Sequence, residues 1–121
     1  MKAMVMAAGL GTRLRPLTDF LPKPMMPVAN RPVLHHLLNL LRRHDVREVG
    51  INVHAFPEMI EKYFGDGSSL DMSILWSHEP ELLGTAGGTK KLQDFSIISG
   101  NACTLIPTSR TSWRRSRLSR W

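Results

Sequence analysis

Met4-Val5-Met6-Ala7-Ala8-Gly9-Leu10-Gly11-Thr12-Arg13-Leu14-Arg15-Pro16-Leu17-Thr18 is an apolar run that breaks into a glycine loop carrying basic residues. Met4 to Ala7 is short and uninterrupted, the pattern of a strand buried on both faces. Gly9 and Gly11 lack a Cβ, so both are expected to reach positive φ or to let a ligand approach the backbone. Successive N–H groups in such a turn form a concavity for anions. Thr12 adds a hydroxyl donor, and Arg13 adds a planar fork of donors matched to phosphate oxygens. A bare G-x-G also opens ordinary strand-to-helix turns, so the two glycines alone leave both readings open. The third glycine of a dinucleotide fingerprint is missing three residues after Gly11, and no Gly-Lys-Ser/Thr follows, so neither of those nucleotide motifs applies.

Outward from this loop the alternation of elements continues. Residues 14–30 carry Pro16, Pro22, Pro24 and Pro27, too many for a regular element, and should form an ordered loop over the phosphate site. Asn30-Arg31-Pro32 reads as a helix start with Asn30 as N-cap. Val33, Leu34, Leu37, Leu38, Leu40 and Leu41 then make an apolar stripe at helical spacing, ending near His44. Val46 and Val49–Val53 predict a second buried strand. A short helix over 58–64 turns Met59, Ile60, Tyr63 and Phe64 inward and stops at Gly65-Asp66-Gly67. Met72 to Trp76 predicts a third strand. A small-residue turn over 84–88 precedes a helix around 90–92, and Ile97-Ile98 opens a fourth strand. The expected fold class is α/β: a Rossmann-like parallel sheet with flanking helices and right-handed crossovers. Ligands in such sheets sit at the carboxyl ends of the strands, where the glycine loop lies. His35-His36 reads as packing and surface rather than a metal site, and the seven methionines read as core and loop filler.

Length and charge bound the rest. At 121 residues the chain holds one domain at most. It has no apolar run long enough to span a membrane and no secretory leader pattern, and its one cysteine, Cys103, fits a reducing cytoplasm. The net charge of +6 is concentrated. Arg110, Arg114, Arg115, Arg117 and Arg120 sit in the last twelve residues, while residues 1–109 hold 11 basic and 10 acidic groups. A nucleic-acid-binding function would therefore rest on the tail alone, and removing residues 105–121 would abolish it.

The spelling from Ala8 through Gly9, Leu10, Gly11, Thr12 and Arg13 to Thr18, followed by Leu21-Pro22-Lys23-Pro24-Met25, resembles the signature of the sugar-nucleotide pyrophosphorylases. These nucleotidyltransferases join a nucleoside triphosphate to a sugar 1-phosphate. The resemblance implies that the backbone of residues 8–12 holds the nucleotide. It further implies that Arg13 and Lys23 carry catalysis by neutralising phosphate charge, and that Mg²⁺ bridges phosphate oxygens. His78-Glu79-Pro80-Glu81-Leu82-Leu83-Gly84-Thr85-Ala86 extends it, with Glu79, Gly84 and Thr85 at positions that line the base and sugar pocket. Many relatives carry glutamine where Glu79 stands. A carboxylate only accepts hydrogen bonds, and guanine offers two adjacent donors, so GTP is favoured. The nearest likeness is to a mannose-1-phosphate guanylyltransferase. Glu79 also reads as a solvated loop acid.

The pattern departs from the family at Asn101, which stands where relatives carry a metal-binding aspartate. Residues 1–104 are the expected nucleotide-binding part and residues 105–121 a basic irregular tail. With G/C-ending codons, a shift of reading frame near Leu105 gives a family-like Thr-Asp-Pro-Asp-Leu-Lys-Asp-Leu-Val, so the tail is expected to be a frameshift product. A sheet ending after its fourth strand exposes an edge and an apolar face, which favours self-association or aggregation. Three functions follow: nucleotidyl transfer, impaired here; nucleotide binding without catalysis; and, more remotely, nucleic-acid binding.

Overall fold

In the computed structural model, residues 1–81 and the backbone of residues 103–107 are described. The main sheet contains β1 (Lys2–Met6), β4 (Glu48–Val53), β5 (Ser73–His78) and β6 (Cys103–Pro107), in the order β5-β4-β1-β6, with every pair parallel. A two-stranded antiparallel ribbon, β2 (Pro27–Val28) and β3 (Arg31–Pro32), stands apart from it. Helices α1 (Val33–Arg43) and α2 (Pro57–Phe64) fall in the crossovers from β1 to β4 and from β4 to β5. This is the expected parallel α/β architecture with flanking helices.

Burial explains the order. Val5, Val49, Ile51 and Val53 on one face, and Met4 and Asn52 on the other, are buried, so β1 and β4 are covered on both faces, as their largely apolar spelling predicts. Even Lys2 is largely buried; its Nζ meets Glu48 Oε2 at 2.7 Å, across the β1–β4 pair in which the two residues face each other. Leu34, Leu38 and Leu41 recur at helical spacing along α1 and bury, and Ile60 and Phe64 do the same on α2. Each such side chain contributes about 1.5–3 kcal/mol relative to exposure.

The apolar stripes are narrower than the sequence suggests. Val33, Leu40, Met59 and Tyr63 are exposed rather than inward. Each falls outside the arc of its helix that meets the sheet, because a single face of about 100° suffices to cover it. Asn30 is not the N-cap of α1: the residue before the helix is Pro32, held extended at φ −56° and ψ 145°. The ribbon is the reason. Val28 pairs with Arg31, which puts Ala29 and Asn30 in the connecting turn, both with positive φ (49° and 61°). Two consecutive left-handed residues are what a tight hairpin turn demands, and asparagine tolerates that conformation. Arg42 and Arg43 close α1 near the negative end of its dipole.

The strand beside β1 is Cys103–Pro107, pairing from Lys2↔Cys103 to Met6↔Pro107. It crosses the boundary at residue 104 that the sequence suggests, so residues 105–107 belong to the sheet. The strand expected at Ile97-Ile98 and the turn and helix expected over 84–92 lie outside the described residues. No helix among the described residues is long and apolar enough to cross a membrane.

His35 sits on the buried side of α1 against the rings of Tyr63 and Phe64, with centroids 6.2 and 6.3 Å away. Arg31 donates from NH1 to its Nε2 at 2.7 Å, which places the ring proton on Nδ1. That atom is buried without a hydrogen-bond partner among the described residues. Burial, and then the charges of Arg31 and His36, hold the His35 pKa below its usual 6.5. The folded chain therefore binds this proton more weakly than the unfolded chain. Stability is full above about pH 6.5 and falls as the pH drops below it, because the unfolded state takes up the extra proton first. Melting temperatures measured from pH 7.5 to 5 should decline toward acid, and His35→Gln should flatten that decline. An unchanged slope would refute the assignment.

Candidate functional site

The strand order fixes where a ligand can enter. From β1 the chain moves outward on one side through β4 and β5, and then returns to the opposite flank of β1 as β6. The direction of winding reverses at β1, so the crevice beyond its carboxyl end is the topological switch point where open α/β sheets bind ligands. The glycine loop leaves β1 at this point. His54 follows β4 and Glu79 follows β5 at the same edge of the sheet.

The loop is held by its own backbone and by Thr18. Gly11 adopts φ +64° in the left-handed region, immediately before a single 3-10 turn over Thr12–Leu14. Its carbonyl accepts from Leu14 N–H at 2.9 Å and from the Thr18 hydroxyl at 2.9 Å. A Cβ built on Gly11 would lie 2.8 Å from Thr18 Cγ2 and 3.4 Å from Lys23 Cβ. The glycine is therefore obligatory here, and the stem of Lys23 is packed against the loop although 12 residues separate the two in sequence. Lys23 opens another 3-10 turn over Lys23–Met25, closed by Met25 N–H donating to the Pro22 carbonyl at 2.8 Å. Gly9 differs from the expectation of positive φ: it is absent from the left-handed residues, and a Cβ there would meet nothing within 4 Å. Among the described residues no atom demands a glycine at position 9.

The charges match this geometry. Arg13 is exposed and Lys23 half-buried, and neither forms an ion pair among the described residues. Arg15, by contrast, pairs with Asp19 at 3.3 Å. Ala8 is buried, while Leu10 and Thr12 are exposed on the loop. An apolar hollow of about 670 Å³ opens between Leu14, Leu17, Phe20, Leu21 and Met26. It has no charged lining group and is unsuited to a triphosphate.

Glu79 departs from the picture of a solvated loop acid. It is 4% exposed, and its Oε1 accepts the Asn52 side-chain N–H at 2.6 Å. Its backbone N–H donates to the Val53 carbonyl at 2.9 Å, and its carbonyl accepts from His54 Nδ1 at 2.6 Å. Asn52, 1% exposed, in turn accepts Ala7 N–H on Oδ1 at 2.7 Å. One amide thus joins the residue before the glycine loop to the carboxylate beyond β5. Sequence reasoning did not single out Asn52, although a signal existed: it is a polar residue inside the apolar strand 49–53, and a buried amide must find partners. Gly84, Thr85 and Asn101 lie outside the described residues. Among the described residues no group of three His, Cys, Asp or Glu could hold a metal ion.

A nucleotidyl transferase family model matches residues 2–107, nearly the whole chain. The chain belongs to the nucleotidyl transferase family. It is 45% identical over 105 residues to a UTP–glucose-1-phosphate uridylyltransferase of Synechocystis, an alignment covering 79% of this chain and 27% of the relative. It is 44% identical over 86 residues to a mannose-1-phosphate guanylyltransferase of Mycobacterium tuberculosis, covering 71% and 24%. The chain therefore spans about a quarter of the length of these two relatives. Its fold is shared with a crystal structure described as a glucose-1-phosphate thymidylyltransferase from Bacillus anthracis, with TM-score 0.81 and 23% identity over 88% of this chain and 43% of that one. These nucleotidyltransferase relatives are named for different bases, so family membership leaves the base open.

Proposed function

We propose that this chain supplies the nucleotide-binding portion of an enzyme that transfers a nucleotidyl group from a nucleoside triphosphate to a sugar 1-phosphate, with GTP and mannose 1-phosphate as the favoured pair. The observation that carries this reading is the packing of Lys23 against the Gly11 turn that bears Arg13, two cations without ion pairs among the described residues, at the switch point. A sugar-phosphate oxygen attacks the α-phosphorus, the bond from that phosphorus to the bridging oxygen breaks, and pyrophosphate leaves. Arg13 and Lys23 neutralise charge on the phosphates, and the loop backbone orients them, so the protein contributes positioning and electrostatics rather than covalent chemistry. Mg²⁺ is the expected companion of the triphosphate. The described residues offer no carboxylate cluster to hold it, so no step is routed through it.

The preference for GTP rests on Glu79. Its carboxylate is an acceptor only, suited to the paired N–H donors of guanine and unsuited to the carbonyl groups of uracil. Titrating the chain with ATP, CTP, GTP and UTP should give the tightest binding for GTP, by about tenfold over UTP. Equal affinities would overturn the base assignment. Asn101, which stands where relatives carry a metal-binding aspartate, favours a second reading, a nucleotide-binding module without catalysis. Pyrophosphate release from GTP and mannose 1-phosphate separates the two: transfer releases it, and binding alone does not.

A further inference from the structure

The geometry points to Asn52 as a positioning residue that sets base selectivity by holding the Glu79 carboxylate. This inference rests on the reading that Glu79 meets the base. Asn52 leaves β4 with its amide spanning two elements: Oδ1 receives Ala7 N–H at 2.7 Å, and Nδ2 donates to Glu79 Oε1 at 2.6 Å. The Ala7 N–H is shared with the Asn52 backbone carbonyl at 3.2 Å, so the end of β1 stays fastened to β4 even without the side chain. The carboxylate has no comparable substitute. Among the described residues the Asn52 amide is its one hydrogen-bond donor, and Glu79 is otherwise tied only through its backbone, to Val53 and His54. Backbone ties fix where the residue sits; they leave the side-chain torsions free.

The chemistry of the amide adds a second argument. Its Oδ1 is engaged by a donor, so the group facing Glu79 must be the NH₂, which binds a carboxylate oxygen and orients the carboxyl plane. At 1% and 4% exposure neither side chain can trade this bond for water without cost. The same amide links the Glu79 carboxylate to Ala7, directly before the residues that grip the phosphates. Base and phosphate recognition are thereby fixed relative to one another, which is the condition for discriminating bases on a shared triphosphate.

The test uses the full chain and four variants: Asn52→Leu, Asn52→Asp, Glu79→Gln and the Asn52→Leu/Glu79→Gln pair. The readout is the ratio of GTP to UTP affinity, with inorganic tripolyphosphate affinity as a control for the fold and the phosphate loop. Glu79→Gln should lower the ratio about tenfold, Asn52→Leu should lower it to a similar extent, and the pair should lower it no further. Tripolyphosphate affinity should stay within about twofold throughout. Asn52→Asp keeps the acceptor for Ala7 but sets a carboxylate against Glu79, and it should also lower the ratio. If Glu79→Gln lowers the ratio and both Asn52 variants leave it unchanged, the inference about Asn52 fails while the base-reading role of Glu79 stands. If Glu79→Gln leaves the ratio unchanged, the base-reading role fails and takes the inference with it. If both Asn52 variants lose tripolyphosphate binding, Asn52 is a support of the fold alone and the inference is overturned.

Discussion

Gly11→Ala should destabilise the chain by about 3 kcal/mol and remove measurable triphosphate binding. Two independent terms add. An alanine at φ +64° occupies a backbone region that side chains rarely enter. Its Cβ would also stand 2.8 Å from Thr18 Cγ2. That methyl cannot simply rotate away: Thr18 is buried, and its hydroxyl is engaged with the Gly11 carbonyl at 2.9 Å. Turning χ1 to free the methyl would break the bond that shapes the turn. The loop must then move, and Lys23, whose Cβ lies 3.4 Å from the same point, moves with it. Thermal denaturation should show a fall of roughly 10 °C. Gly9→Ala is the companion variant. Among the described residues a Cβ there meets no atom within 4 Å, so the melting temperature should stay within about 2 °C while triphosphate affinity falls. Equal melting temperatures for Gly11→Ala and the parent chain would contradict the loop geometry.

Arg13→Ala should have the opposite profile: little change in stability and a large loss of ligand. Arg13 is exposed and has no ion pair among the described residues, so its removal falls in the class of surface changes within about 0.5 kcal/mol. A charge-assisted bond to phosphate contributes about 1.5–3 kcal/mol, which corresponds to a loss of roughly 10- to 100-fold in triphosphate affinity. Lys23→Ala should act in the same direction. Its half-buried stem packs on the loop, however, so a modest loss of stability accompanies the loss of binding. Lys23→Arg should restore charge without restoring geometry, because a planar fork does not replace a compact ammonium. Isothermal titration with tripolyphosphate isolates the phosphate contribution from that of the base. If Arg13→Ala binds tripolyphosphate as tightly as the parent, Arg13 is a solvated surface residue.

Some of the site was legible because the chemistry is local. The apolar run into Gly9-x-Gly11 is contiguous, and its reading as a strand followed by an anion loop depends on a dozen residues. The helix over 33–43 was legible from its leucine spacing, and α2 from its stop at Gly65-Asp66-Gly67. Where the reading failed, a distant or competing contact was responsible. Asn30 has the side chain of an N-cap, but pairing of Val28 with Arg31 claims it for a hairpin turn. Gly9 and Gly11 are spelled alike, yet only Gly11 faces Thr18 and Lys23. Strand pairing with β1, rather than local periodicity, carries residues 103–107 into the sheet.

By itself, then, the sequence determined the α/β class and the family, and it named the residue types of the proposed phosphate grip, because each of these is written in short contiguous runs. Only the tertiary structure decided which partners those residues have. It placed the Lys23 stem against Gly11, put the loop at the reversal of strand order, and buried Glu79 against Asn52 and Asn52 against Ala7, across separations of 27 and 45 residues. The physical reason is that hydrogen bonds of this kind are made between the carboxyl ends of neighbouring parallel strands. Strand order and register bring those ends together, and neither is visible in the spacing of any one segment.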